Sequence, residues 1–142
     1  MATLGNITFY ADDPARLAAF WSDVFGYPHQ EWGDELTAQL TAAGLTERDL
    51  ASRGLAEDPT GEGPRLFFHH ADGAKQGRNR LHLDVTAPDD GSGDRRSALA
   101  AEKDRLVALG ASVVRFVDQQ WGPWPELYYQ MHDPEGNEFC LQ

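Results

Sequence analysis

Arg80, His82 and Asp84 alternate with Leu81, Leu83 and Val85 along one short run of the chain. In an extended strand every second side chain shares a face, so a fixed cation, a titratable imidazole and a carboxylate project together while the three apolar side chains turn away. A histidine beside an aspartate can serve as an oriented base, and a guanidinium invites a carboxylate, phosphate or enolate. Each has a plainer reading: His82 satisfies buried polar groups, and Arg80 pairs with Asp84 or Glu138. The same alternation at Asn6 to Ala11 sends Asn6, Thr8 and Tyr10 to the face opposite Ile7, Phe9 and Ala11. Phe67 and Tyr128 add aromatic surface, and Trp121 and Trp124 stand in a loop at the rim, a lining suited to a flat or partly apolar organic molecule. Tyr128 and Tyr129 are adjacent and cannot both face such a concavity. Cys140 is the single cysteine. It is a packing thiol, or a nucleophile if its pKa is depressed and His82 lies within reach.

Other chemistries find no support. There is no Gly-x-Gly-x-x-Gly fingerprint and no Gly-rich loop ending Gly-Lys-Ser/Thr. A formal charge of -11 argues against nucleic acid or an anionic membrane as partner, since both require a basic footprint. One cysteine excludes an intrachain disulfide and a thiolate cluster within one chain. No stretch of roughly 18 apolar residues occurs, and Met1 to Asn6 shows no basic run leading into an apolar one, so a cytoplasmic setting is expected. With 142 residues, 41% hydrophobic and 11% aromatic, the chain is long enough for one domain with a real core.

The elements that must position these residues are readable in outline. Ile7 to Ala11 is a strand. Asp13-Pro14 starts a helix that runs to about Phe25, burying Leu17, Phe20, Trp21 and Val24 and leaving through Gly26. Glu35 to Ala43 has helical composition, and Thr46-Glu47-Arg48-Asp49 starts a short helix or a capped loop. Asp58-Pro59-Thr60-Gly61 is a turn leading into a strand over Arg65 to His70. Ala71 to Asn79, glycine-rich and without apolar periodicity, reads as a linker with no reason to pack. The grammar then repeats: a strand over Arg80 to Val85, a loop rich in Asp, Gly and Pro, a helix over Arg95 to Leu109, a strand over Ala111 to Val117, a Trp/Pro/Gly loop, and Leu127 to Met131. Asp133-Pro134-Glu135-Gly136 is a second turn, and Glu138 to Leu141 closes the series. The two Asp-Pro-x-Gly turns are 75 residues apart, and Asn6 and Arg80 are 74 apart, which points to an internal duplication.

Thr8 to Tyr27 with Asp13-Pro14 and Phe20-Trp21, Asn79-Arg80-Leu81-His82-Leu83-Asp84, Leu109-Gly110-Ala111 and Asp133-Pro134-Glu135-Gly136-Asn137-Glu138-Phe139-Cys140 together resemble the glyoxalase-like branch of the vicinal oxygen chelate superfamily. The resemblance spans nearly the whole chain and is weakest over Trp32 to Thr60. It implies an α+β fold in a single domain over 1–142, with two tandem β-α-β-β-β modules at about 1–72 and 79–142, a cupped mixed β-sheet, helices on the outer face and a homodimer. Members of that superfamily include metal-dependent lyases, isomerases and dioxygenases as well as resistance proteins that bind small molecules.

Carrying the family's metal positions over gives Asn6, Arg80 and Cys140. Arginine stays protonated and has no lone pair for a metal, and asparagine is a poor ligand, so this set is not a metal site. Moving two residues inward along each strand gives Thr8, Tyr10, His82, Asp84, Glu138 and Gln142, among which no three good ligands have an established common point. The expectation is therefore a pocket that takes a small organic ligand, anionic or aromatic, without metal or other cofactor, through Asn6, Thr8, Tyr10, Phe67, Arg80, His82, Asp84, Tyr128, Glu138 and Cys140. The alternative is a metal-dependent lyase, isomerase or dioxygenase of the same superfamily.

Overall fold

A computed structural model describes residues 1–89, 91 and 93–142. Asp90 and Ser92, in the expected Asp-, Gly- and Pro-rich loop, lie outside the described residues. The fold is α+β, and the chain divides into two compact units, Met1–Ala74 and Lys75–Gln142.

Unit one opens with strand β1 (Ile7–Ala11) and helix α1 (Pro14–Phe25). The Asp13 carboxylate accepts the Arg16 N–H, Pro14 occupies the first turn, and Gly26 leaves the helix in the left-handed conformation, with a φ of 71°. The predicted stripe of Leu17, Phe20, Trp21 and Val24 is buried. Helices α2 (Asp34–Ala42) and α3 (Glu47–Ala51) follow, the second started by a capping box between Thr46 and Asp49. Strand β2 (Arg53–Ala56) was not foreseen. The Asp58 turn then leads into β3 (Leu66–His70), with the Asp58 carboxylate accepting from the backbone N–H groups of Thr60 and Gly63. The sheet order is β1-β3-β2, with β1 parallel and β2 antiparallel to β3. Within its helix-covered side Phe9 stacks on Phe68, and the Trp21 ring lies tilted against Phe9.

Unit two contains β4 (Leu83–Val85), α4 (Arg95–Ala108), β5 (Ser112–Trp121), β6 (Trp124–His132) and β7 (Glu138–Leu141), in sheet order β4-β7-β6-β5. Asp94 caps α4, and the second Asp-Pro-x-Gly turn joins β6 to β7 as the first joins β2 to β3. Its Asp133 carboxylate holds the backbone N–H groups of Glu135 and Asn137. Leu99, Leu106, Met131, Phe139 and Leu141 are fully buried.

Three expectations for this half need correction. The strand predicted over Arg80 to Val85 begins only at Leu83. Arg80 and Leu81 form a bend, Leu81 is 68% exposed rather than apolar-facing, and strict alternation does not extend back to Arg80. The supposed linker is also anchored: the Lys75 ammonium lies 3.2 Å from a Glu138 carboxylate oxygen, which accepts the Asn79 N–H at 3.0 Å. Finally, the Trp/Pro/Gly loop is a two-residue hairpin turn. Gly122, at φ 59°, supplies the positive φ that its first central position requires, so β5 and β6 pair out to Trp121 opposite Trp124, whose rings stack at 5.3 Å.

Candidate functional site

The register of β4 against β7 sets Asp84 directly opposite Cys140, and β6 sets Gln130 opposite Cys140 from the other side. Tyr128 shares that face of β6 by alternation. A bulge between Val113 and Arg115 in β5 re-aims that strand so that Arg115 pairs with Gln130, its Nε–H donating to the Gln130 side-chain oxygen at 3.0 Å. These strands, with the segment before β4, enclose a pocket of about 110 Å³ lined by Arg78, Asn79, His82, Arg115, Tyr128 and Gln130, and floored by Glu138, Phe139 and Cys140.

The electrostatics are set by few groups. His82 Nε2 lies 3.2 Å from the Asp84 carboxylate. Burial pushes the Cys140 thiol above its ordinary pKa; the Asp84 carboxylate, as a neighbouring charge and as acceptor of the thiol hydrogen bond, pushes the same way, while Arg115 and Arg78 pull partly back. The thiol is therefore held protonated and is a weak nucleophile. At Glu138 desolvation alone would raise the carboxyl, but hydrogen bonds from the Asn79 N–H, its own backbone N–H and Lys75 outweigh it and hold the group at about 2. It is a fixed anion that staples the Arg78–Asn79 wall to β7.

Of the residues expected in a site, His82, Tyr128, Glu138 and Cys140 line this pocket, and Asp84 touches two of its groups. Arg80 is exposed and is not among the lining residues; Arg78 and Arg115 bring the guanidinium groups instead. Thr8, Tyr10 and Phe67 belong to unit one, where they share the sheet face away from α1 with His69. Thr8 lies opposite Phe67 and Tyr10 opposite His69, and the Phe67 and His69 rings are 4.9 Å apart. Asn6 is exposed just before β1. Gln130 could have been found by its parity with Tyr128. Arg115 could not, because its direction depends on the bulge, and Arg78 stands in a segment without periodicity.

One geometric expectation changes. The donor atoms of His82, Asp84 and Cys140 lie within 4.8 Å of one another, so three groups of metal-ligating type do share a point. An imidazole, a carboxylate and a thiol at that spacing fit the mixed donor set that zinc accepts, once the thiol has lost its proton.

The family model of a glyoxalase-like domain matches residues 6–142. A search of the curated proteins found no significant match. Among solved structures, a glyoxalase/bleomycin resistance protein/dioxygenase family enzyme from Burkholderia phytofirmans aligns with a TM-score of 0.63 at 14% identity, covering 99% of this chain and 97% of that one. A mutant of a genomically encoded fosfomycin resistance protein from Listeria monocytogenes, complexed with Mn(II) and 1S,2S-dihydroxypropylphosphonic acid, aligns with a TM-score of 0.63 at 13% identity, over 100% and 90% of the two chains. Lactoylglutathione lyase from Agrobacterium tumefaciens aligns with a TM-score of 0.52 at 18% identity, over 99% and 92%. At such identities these likenesses speak to fold alone. The repeated strand-helix-strand grammar, the two equivalent Asp-Pro-x-Gly turns and a domain match across nearly the whole sequence agree: the chain belongs to the glyoxalase-like family of the vicinal oxygen chelate superfamily.

Proposed function

We propose that this chain binds a small anionic organic ligand in the pocket of unit two, and does so without a catalytic metal. The observation that carries the reading is the convergence of Arg78 and Arg115 on one small cavity beside Tyr128. Two guanidinium groups offer forked donors to a carboxylate or phosphonate, Asn79 and Gln130 offer amide partners, and Tyr128 gives an apolar wall for a short carbon chain. A volume of about 110 Å³ suits an anionic head and a few carbons. The protonated Cys140 thiol, tied to Asp84, supports a binding role over nucleophilic chemistry.

The spacing of His82, Asp84 and Cys140 favours a second reading, a metal-dependent member of the family. Those three side chains would hold the ion, which would supply Lewis-acid polarisation of a ligand oxygen. Against it stand the thiol proton and two neighbouring guanidinium charges, which oppose a dication.

The test is metal analysis of protein purified without chelator, with calorimetry using propylphosphonate and pyruvate as probes. Arg78→Ala and Arg115→Ala are each expected to weaken binding by roughly 1–3 kcal/mol, the scale of a lost charge-assisted hydrogen bond. Binding unchanged in both variants sinks the first reading. One tightly held metal per chain, lost in His82→Ala, moves the second into first place.

A further inference from the structure

Unit one differs from unit two at one edge of its sheet. In unit two the strand preceding the Asp-Pro-x-Gly turn, β6, is flanked by β7 and β5; in unit one the corresponding strand, β2, has only β3 beside it among the described residues. The chain between α1 and β2 forms α2 and α3 instead of a further strand. No residue of α2 is buried, and Trp32 and Leu36 remain 38% and 43% exposed. A cavity of about 440 Å³ lies beside β2, bounded by Ala15, Ala18 and Ala19 of α1, Trp32 and Leu36 of the following segment, and Arg53 to Leu55 of β2 itself.

We propose that this cavity is a second small-molecule site, distinct from the pocket of unit two, for a planar and largely apolar molecule bearing one acidic group. The volume falls in the range of ligand pockets, and most of its lining is apolar. The alanines leave room where larger side chains would close it. Trp32 is held as a wall by its indole N–H, which donates to the Leu50 carbonyl at 3.2 Å, so an aromatic face is already positioned for stacking. The acidic group is assigned to Arg53. Arg53 lines the cavity from the edge strand, with its side chain on the face shared with His69; its Nη1 donates to the Ser52 carbonyl at 3.1 Å, and no carboxylate among the described residues forms an ion pair with it, although Asp49 lies within its field and Glu31 also lines the cavity. His29, the other basic group of the lining, is paired with Asp23 at 2.8 Å. Arg53 is thus the cation left to meet an anionic ligand.

The probe is 8-anilinonaphthalene-1-sulfonate, planar, aromatic and singly acidic, with uncharged N-phenyl-1-naphthylamine as comparison. Amide-resolved NMR titration of the intact protein is expected to shift the Trp32 indole N–H and the amides of Ala18, Ala19 and Gly54. Arg53→Gln is expected to weaken the sulfonate about tenfold while leaving the uncharged probe unchanged, and Ala19→Phe, which fills the cavity, is expected to abolish both. Shifts absent from Trp32 and its neighbours, or confined to Arg78 and Arg115, overturn the proposal in the wild-type protein alone. Equal loss of both probes in Arg53→Gln overturns the assignment of the acidic group.

Discussion

Glu138 shows how one side chain ties a wall to a sheet. Its place on β7 was legible from alternation, but its partners were not, because Lys75 and Asn79 sit in a segment whose composition gives no pattern to follow. The carboxyl is held at about 2 against an ordinary 4.5, so the native state gains stability from it above pH 4.5 and loses that gain as the pH falls toward 2. Glu138→Gln is expected to be less stable than the parent by roughly 1–3 kcal/mol near neutrality. The gap should close as the pH is lowered through that window, measured by urea unfolding at a series of pH values; a gap that stays constant would show that the charge is not what matters. Arg80 teaches the converse. Period-two reasoning carried it onto the face of His82 and Asp84, yet alternation applies only where a strand exists, and the chain bends at Arg80 and Leu81.

Among the elements, those with strong local chemistry were readable: α1 through its Asp-Pro start and apolar stripe, α4 through its place between an Asp-, Gly- and Pro-rich loop and Gly110, and the two Asp-Pro-x-Gly turns through their residue pattern. Strand β2 was not, since Arg-Gly-Leu-Ala has little β propensity and takes its conformation from pairing with β3. Its Gly54 records that tertiary origin. A Cβ there would lie 2.3 Å from the Pro14 carbonyl oxygen and 3.0 Å from the Ala18 Cβ, so the strand passes against the start of α1 closer than any other residue allows. Gly54→Ala is expected to cost roughly 1–3 kcal/mol through forced displacement of backbone. Gly5→Ala, with nothing within 4 Å of the added atom, serves as the near-neutral control in the same urea titration.

For the whole molecule, the duplication was legible because the strand, helix and turn signals recur in order, with the first strand and the Asp-Pro-x-Gly turn of each half at nearly one offset. The unequal sheets were not, because helical composition between α1 and β2 displaces a strand without disturbing that offset. Among the described residues no helix is long and apolar enough to cross a membrane. With 23 acidic and 12 basic side chains, like-charge repulsion opposes self-association, and added salt screens it. The homodimer that the family resemblance suggests is therefore expected to strengthen between low and moderate salt. Sedimentation at micromolar concentration tests this; a 15.7 kDa species alone at every ionic strength would count against a stable dimer.

The stacked Trp121 and Trp124 carry an optical consequence. Two indoles locked across a strand pair at 5.3 Å, with their planes only 22° apart, couple their electronic transitions, and a coupled pair of fixed handedness gives a signed exciton couplet in circular dichroism. Both rings are more than half exposed, so the couplet reports the closure of the β5–β6 tip, while the buried Trp21 reports the core of unit one. The coupled pair and Trp21 thus give two separate optical signals that distinguish fraying of a hairpin from melting of a core.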